Sequence, residues 1–407
     1  MGPCGFWSLG AFPPIIEAVE DGESVNRSAA PAARIAINAH LLGAEEGYRR
    51  AGVSRYIHSL LTNVLRVDPE GDYTVFVNNR CALSLSAALR PSRLPTGRPL
   101  VRILWEQACQ PLQLLKERIA LLHSPVNVQP LWLPCKGVVT VTDLSFLAFP
   151  QTFRTGRRLY QRWFTRWSVR RADRIIAISS TTREDVTRLF KVPADRVVVI
   201  FPGVDAHYHP VEDQKELDRF RRQRGLSERF VLFVGTLEPR KNLLTLLQGY
   251  AAFRRLGGGY KLALVGGRGW LYEPVLAAIE ELGLHQEVIV PGFVPEEELP
   301  LWYNAAEALA YPSLYEGFGL PPLEAMACGR PVAVSDASSL PEVVGDAGLL
   351  VDPHQPDAWT EALQRLWQDA AYRADLAAQG LKRAQQFSWE RMARETVGVY
   401  RSVLAGG

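Results

Sequence analysis

Tyr315 to Pro331 reads YEGFGLPPLEAMACGRP and follows the apolar run Ala308–Tyr311. The pattern predicts a strand, a tight turn at Gly317 and Gly319, and a helix opened by Pro321 or Pro322 and ended by Gly329. Proline suits a first helical turn, where its missing N–H is not needed, and glycine suits the left-handed residue just past a helix end. The free N–H groups of such a helix start are a site for anionic or hydroxyl-rich ligand atoms. Glu316 precedes the turn and Glu324 lies eight residues later on the helix. This spacing places one carboxylate at the mouth of a cleft and the other about a helical turn below it. A single glutamate in either place is more often a loop or solvated position; the two glycines, paired prolines and strand-to-helix setting together favour a ligand-facing reading.

The same alternation of short apolar runs and amphipathic helices extends in both directions, which indicates βαβ units and parallel sheets. In the first half, strands are expected at Arg34–Asn38, Tyr73–Val77, Val101–Leu104, Leu121–His123, Gly137–Thr142, Arg174–Ile178 and Val197–Ile200, with helices over Val53–Val67 and Thr181–Phe190. A second series starts at Phe230–Val234 and continues through Lys261–Val265, Val288–Val290, Ala308–Tyr311, Pro331–Val334 and Leu349–Val351. Residues 1–33 read as a loose extension, 34–204 as a first Rossmann-like domain, 205–228 as a linker, and 229–388 as a second Rossmann-like domain. The last residues, 389–407, form a helix whose Met392, Thr396, Val399 and Tyr400 share one face that packs back on the first domain.

The 407 residues exceed what one core serves, so two domains are expected. With 46 basic and 43 acidic residues the net charge is only +3, which argues against nucleic acid as the main partner. Five cysteines without a CxxC pair suggest neither a disulfide framework nor a zinc site. No apolar run reaches the ~18 residues of a spanning helix, and the start lacks a basic region ahead of its broken apolar stretch. The expected location is cytoplasmic, peripheral at the inner face of the membrane. His207 and His209 lie in the linker without a third ligand, Asp-x-Asp and Gly-Lys are absent, and no G-x-G-x-x-G is intact, so no metal site, P-loop or dinucleotide fingerprint is expected.

Phe230–Asn242, FVLFVGTLEPRKN, ends a strand at Gly235 and presents Arg240 and Lys241 at the carboxyl edge of the second sheet, where open α/β sheets bind ligands. Two adjacent cations there can neutralise a diphosphate leaving group as its charge grows. The E-x7-E element Glu316–Glu324, the turn Gly235–Asn242 and Pro291-Gly292-Phe293-Val294 together resemble the retaining glycosyltransferases of family 4, which have the GT-B fold: two Rossmann-like doubly wound α/β domains facing a cleft. The resemblance runs from about Arg34 to the end and is mannosyltransferase-like.

What the resemblance implies is a metal-independent hexosyltransferase without a cofactor, taking a UDP- or GDP-type sugar as co-substrate and a saccharide or lipid-linked acceptor, in the synthesis of cell-surface polysaccharide or glycolipid. By the resemblance, Arg240 and Lys241 hold the diphosphate, Glu324 the ribose hydroxyls and Glu316 the transferred sugar, assisted by the amides of Gly317, Phe318, Gly319 and Leu320. Phe293 and Val294 lie near the base. Residues 47–56, GYRRAGVSRY, are similar to the family's glycine loop, in which Gly52 permits close passage of the backbone by donor phosphate and acceptor. One departure stands out: many relatives have His-Asp where this chain has Thr142-Asp143, so the histidine's contact with the donor sugar is either absent here or passes to Asp143 or a hydroxyl. Asp143 also has a plain reading as the cap of the next turn.

Phe153–Arg171, FRTGRRLYQRWFTRWSVRR, can lie on an anionic membrane; the simpler expectation is a helix that packs Leu159, Trp163 and Trp167 inward and solvates its arginines. Cys328 reads as a small core residue. Two rival functions use the same residues. One is an epimerase or phosphorylase on the same scaffold, of which an epimerase would change the donor sugar without any acceptor; the other is a non-catalytic nucleotide-sugar-binding protein, which would hold the donor without turning it over.

Overall fold

The computed structural model describes residues 33–42, 51–79, 86–226 and 229–406. Two parallel sheets form. The first contains β1 (Ile35–Ala39), β2 (Tyr73–Val77), β3 (Ala88–Pro91), β4 (Leu121–Ser124), β5 (Lys136–Val141), β6 (Arg174–Ala177) and β7 (Val197–Val199), in the order 3-2-1-4-5-6-7. The second contains β8 (Phe230–Val234), β9 (Lys261–Val265), β10 (Val288–Gly292), β11 (Ala308–Tyr311), β12 (Val332–Ser335) and β13 (Leu349–Val351), in the order 10-9-8-11-12-13. Strands such as β8, all five residues buried, are apolar throughout because helices cover parallel sheets. Strand order reverses between β1 and β4 in one sheet and between β8 and β11 in the other. At such a reversal the following connections diverge and leave a crevice at the carboxyl edge.

Two local expectations are corrected and one unforeseen strand is added. Val101–Leu104 is not a strand: it belongs to the helix Pro99–Leu104, which runs on through a π-helical turn, Trp105–Cys109, into the helix Gln110–Lys116. A short apolar run does not separate strand from helix, and here Pro99 opens the helix while Trp105 buries its ring edge-on against Phe76. The edge strand β3 carries too little apolar signal to be seen, and its terminal Pro91 fits only an edge. The expected linker contains a helix, Gln214–Gln223, whose Asp213 cap accepts from the amides of Lys215 and Glu216. Its Leu217 and Phe220 are buried, the latter against Trp302 of the helix Leu299–Ala305.

The chain crosses between the sheets twice, side by side. Val204 N donates to Phe387 O at 3.3 Å, and a Cβ on Gly203 would stand 2.1 Å from Trp389 N. The terminal helix Trp389–Leu404 then packs on the helix Ala51–Val67. Its Tyr400 hydroxyl meets His123 Nδ1 at 2.6 Å, and His123 Nε2 meets Thr140 Oγ1 at 2.8 Å.

The basic aromatic stretch forms the helix Thr155–Arg171, but the expected Leu159, Trp163 and Trp167 do not point inward. Leu159 and Trp163 are 54% and 53% exposed and Trp167 is 36% exposed, while Thr165, Ser168 and Val169 are the buried positions. The small residues fit the close approach to the sheet and leave no room for indoles. Among the described residues no helix is long and apolar enough to cross a membrane.

Candidate active site

Two loops meet at the β8/β11 reversal. After β8, Gly235 N bonds to Val265 O, and the chain turns through Pro239–Lys241 into Asn242, whose φ of 55° is left-handed. The turn's Arg240 carbonyl accepts from Leu314 N at 2.8 Å and from Ser313 Oγ at 3.2 Å, which stitches the loop after β8 to the loop after β11.

Arg240, Lys241 and Glu316 form one buried cluster. Lys241 Nζ donates to Glu316 Oε1 at 2.5 Å and to the Tyr311 hydroxyl at 2.7 Å. Glu316 Oε1 also accepts from Ser313 Oγ at 2.6 Å and from Tyr311 at 3.1 Å. Arg240 Nη1 donates to Glu316 Oε2 at 3.2 Å and to Tyr315 O at 3.0 Å, and its Nε donates to Glu238 at 2.5 Å. Burial alone would raise the Glu316 carboxyl; Lys241 and Arg240 outweigh it and hold the group at about 2. Burial lowers the Lys241 ammonium, and the Glu316 carboxylate at 2.5 Å opposes that shift. Burial opposes the Arg240 charge too, and Glu316, Glu238 and Asp143 more than offset it.

Glu324 stands apart, on the helix Leu320–Ala327, with two partners that the sequence did not point to. Its Oε1 accepts from Arg55 Nη1 at 2.6 Å and its Oε2 from the Tyr303 hydroxyl at 2.6 Å. Arg55 comes from the first half, also pairs with Asp205 at 2.7 Å and Glu296 at 3.2 Å, and lies over the Tyr208 ring. A lone arginine on an amphipathic helix reads as solvated; no sequence signal links it to a carboxylate 269 residues away. Tyr311 and Ser313 also escaped notice, because they sit within strand and turn patterns that explain them as structure.

The first half closes on this cluster through Thr142 and Asp143. A Cβ on Gly317 would stand 1.9 Å from Thr142 O, so only glycine allows the two backbones to touch. Thr182 Oγ1 donates to Gly317 O, the Tyr315 hydroxyl donates to Asp185 Oδ2 at 2.9 Å, and Leu144 N donates to the Tyr315 hydroxyl at 3.2 Å. Asp143 Oδ1 does cap the next turn, accepting from Ser145 N at 3.0 Å and Ser145 Oγ at 2.7 Å.

The remaining expected residues divide. Gly319, with φ 121°, opens the helix Leu320–Ala327. The Phe318 ring is buried against Phe201 and Phe387 beside the chain crossings, so its side chain is core and only its backbone borders the loop. Phe293 is half exposed and Val294 buried, next to Gly292, whose carbonyl accepts from Gly266 N. Residues 47–50 of the expected glycine loop lie outside the described residues. Gly52 itself is in the first turn of the helix Ala51–Val67, and a Cβ there would meet no described protein atom within 4 Å. His207 packs tilted against Tyr208 and His209 bonds Pro210 O; among the described residues no group of three metal-ligating side chains gathers. Cys328 is buried, and burial pushes its thiol up to about 12.

Residues 214–383 match the family model "Glycosyl transferases group 1" and residues 50–208 match "Glycosyltransferase Family 4". Over 268 residues, 65% of this chain and 70% of the relative, the sequence is 39% identical to O-antigen chain mannosyltransferase B of Escherichia coli. The chain belongs to the family 4 glycosyltransferases. This glycosyltransferase is also 31% identical over 242 residues to the serotype-specific mannosyltransferase WbdA of Escherichia coli, of which it spans only 29%. Among solved structures it superposes on Anabaena Alr3699/HepE in complex with UDP and glucose with a TM-score of 0.68 at 19% identity, over 90% of this chain and 99% of that one, a likeness of fold. The two facing Rossmann-like halves are the GT-B architecture.

Proposed function

We propose that this glycosyltransferase moves a hexosyl group, of mannose type, from a UDP or GDP sugar to a saccharide or lipid-linked acceptor in cell-surface polysaccharide or glycolipid synthesis, with retention at C1 and without a metal. The cluster of Arg240, Lys241 and Glu316 at the strand reversal of the second sheet, faced by Thr142 and Asp143, is what supports it. The sugar type follows the names of the two mannosyltransferase relatives. In this reading the C1–O bond to the diphosphate breaks, the acceptor oxygen bonds to C1 on the same face, and its proton passes to the departing phosphate oxygen. Arg240 and Lys241 neutralise the growing charge of the diphosphate. Glu316 orients both cations and accepts from a hydroxyl of the sugar. Glu324 accepts from the ribose through the lone pairs that Arg55 and Tyr303 leave.

The helix Thr155–Arg171 carries six arginines, no acidic residue and an exposed, stacked Trp163–Trp167 pair with ring centroids 5.8 Å apart. This surface suits the headgroup layer of an anionic membrane, where a lipid-linked acceptor would be met.

The test is thermal shift with UDP, GDP, ADP and their hexose conjugates, followed by product analysis. A nucleoside diphosphate that binds the folded chain raises its melting temperature, and acceptor-dependent sugar transfer is expected from the matching donor. Failure of every nucleotide to stabilise the protein, or epimerised donor in the absence of acceptor, would overturn the proposal.

A further inference from the structure

Arg55 lies on the helix Ala51–Val67 of the first half, yet it reaches Glu324, the second-half carboxylate proposed for the ribose. Three acidic side chains share its guanidinium. Nη1 meets Glu324 Oε1 at 2.6 Å, and Nε meets Asp205 Oδ2 at 2.7 Å and Glu296 Oε1 at 3.2 Å. The Tyr208 ring covers one face, its centroid 5.0 Å from the guanidinium carbon. Only 12% of the Arg55 side chain and 3% of the Glu324 side chain is exposed. Burial opposes the Arg55 charge, and Glu324 leads the groups that outweigh it.

A strut that merely tied the halves together would use its donors up. A guanidinium carries five N–H bonds in one plane, and here Nη2 is buried without a hydrogen-bond partner among the described residues. A buried donor left unpaired costs roughly 1–3 kcal/mol, and in native structures such groups are normally completed by protein, water or ligand. Because Nη1 and Nη2 share one planar carbon, Nη2 opens beside the bond from Nη1 to Glu324. An atom that accepts from Nη2 therefore lies next to the Glu324 carboxylate.

The charges around that point select the chemistry of the missing partner. Asp205, Glu296 and Glu324 outnumber the single cation, which disfavours a phosphate oxygen there, and the bare N–H donor disfavours a metal ion. A neutral hydroxyl satisfies both neighbours, since it accepts from Nη2 and donates to the carboxylate. The Tyr303 hydroxyl holds the other oxygen of Glu324 at 2.6 Å, so the carboxylate is fixed from two sides for that contact.

Resting on the function proposed above, we infer that Arg55 reads the ribose of the donor from the first half: Nη2 donates to a ribose hydroxyl that itself donates to Glu324, while Nη1 holds that carboxylate in place. The diphosphate is left to Arg240 and Lys241, so the ribose is the part of the nucleotide that both halves grip.

The test measures, by calorimetry, binding of UDP, GDP and their 2′-deoxy and 3′-deoxy counterparts to the full chain, to Arg55→Met and to Arg55→Lys, each checked for native circular dichroism. Arg55→Met leaves Glu324 and Asp205 without their cation, and Arg55→Lys carries the test where that variant does not fold. The native chain is expected to bind the matching ribonucleotide about tenfold more tightly than at least one deoxy counterpart, the scale of one hydrogen bond to a charged group. In either folded variant that preference should shrink to about threefold or less, with the affinity for the deoxy nucleotide within about threefold of native. A native chain indifferent to the ribose hydroxyls, a preference that survives in a folded variant, or an equal loss of affinity for ribo and deoxy nucleotides overturns the inference and leaves the donor reading standing. Binding of neither UDP nor GDP to the native chain overturns both.

Discussion

Arg240→Ala separates catalysis from architecture more cleanly than any other change in the cluster. After the substitution Glu316 keeps Lys241 at 2.5 Å, Ser313 at 2.6 Å and Tyr311 at 3.1 Å, so its charge stays paired. What is lost is one ion pair to Glu316, one to Glu238 and a bond to Tyr315 O. The cost to folding is about 1–2 kcal/mol, which lowers the melting temperature by about 2–8 °C. Removal of a preorganised group that stabilises the departing diphosphate costs about 3–4 kcal/mol of barrier, a drop in kcat of about 10²–10³. Arg240→Lys retains charge but not the planar fork and should fall between. The assay is initial-rate transfer at saturating donor and acceptor, beside a melting curve. A kcat within about fivefold of native in a folded Arg240→Ala protein would refute the role of the cation. A collapse in melting temperature would mean that Arg240 is chiefly structural.

Gly317→Ala places a Cβ 1.9 Å from Thr142 O and 3.0 Å from Asp143 Cβ, so the halves must part at this point; transfer should fall by about 10²-fold, since misplacement of about 1 Å can cost that much, and unchanged kinetics would show that the contact is dispensable. Glu316 is held at about 2, below its unfolded value of about 4.3, so its stabilisation is complete above about pH 4.3 and is lost as pH falls toward 2. Glu316→Gln should therefore flatten the acid limb of a stability-versus-pH curve in that window, and an unaltered limb would count against the ion cluster. Trp163→Ala with Trp167→Ala should reduce cosedimentation with phosphatidylserine vesicles by about tenfold while leaving transfer to a soluble acceptor intact; equal binding would argue against membrane contact by this helix.

Much of the second half was readable because its signals are local. A strand, two glycines, two prolines and a closing glycine lie within 24 residues of one another, from Ala308 to Pro331, and each fixes backbone geometry on its own. The first half was read less well: the helix Pro99–Leu104 and the edge strand β3 carry short patterns that fit more than one structure. The outward indoles of the helix Thr155–Arg171 followed from the other side of the same problem. Aromatic spacing predicts a face, but which face turns inward depends on how close the helix comes to the sheet, and Thr165, Ser168 and Val169 allowed the closer approach.

Chain order and composition were enough to decide two parallel α/β halves and to single out Arg240, Lys241, Glu316 and Glu324, because strand-ending glycines and charged turns at a sheet edge are properties of short segments. Only tertiary structure decided the pairing. It joined Arg240 and Lys241 to Glu316, gave Glu324 to Arg55 and Tyr303, and set Thr142 against Gly317. Such contacts link residues dozens to hundreds of positions apart, and their energy arises where burial removes water from charges that the linear pattern leaves without partners.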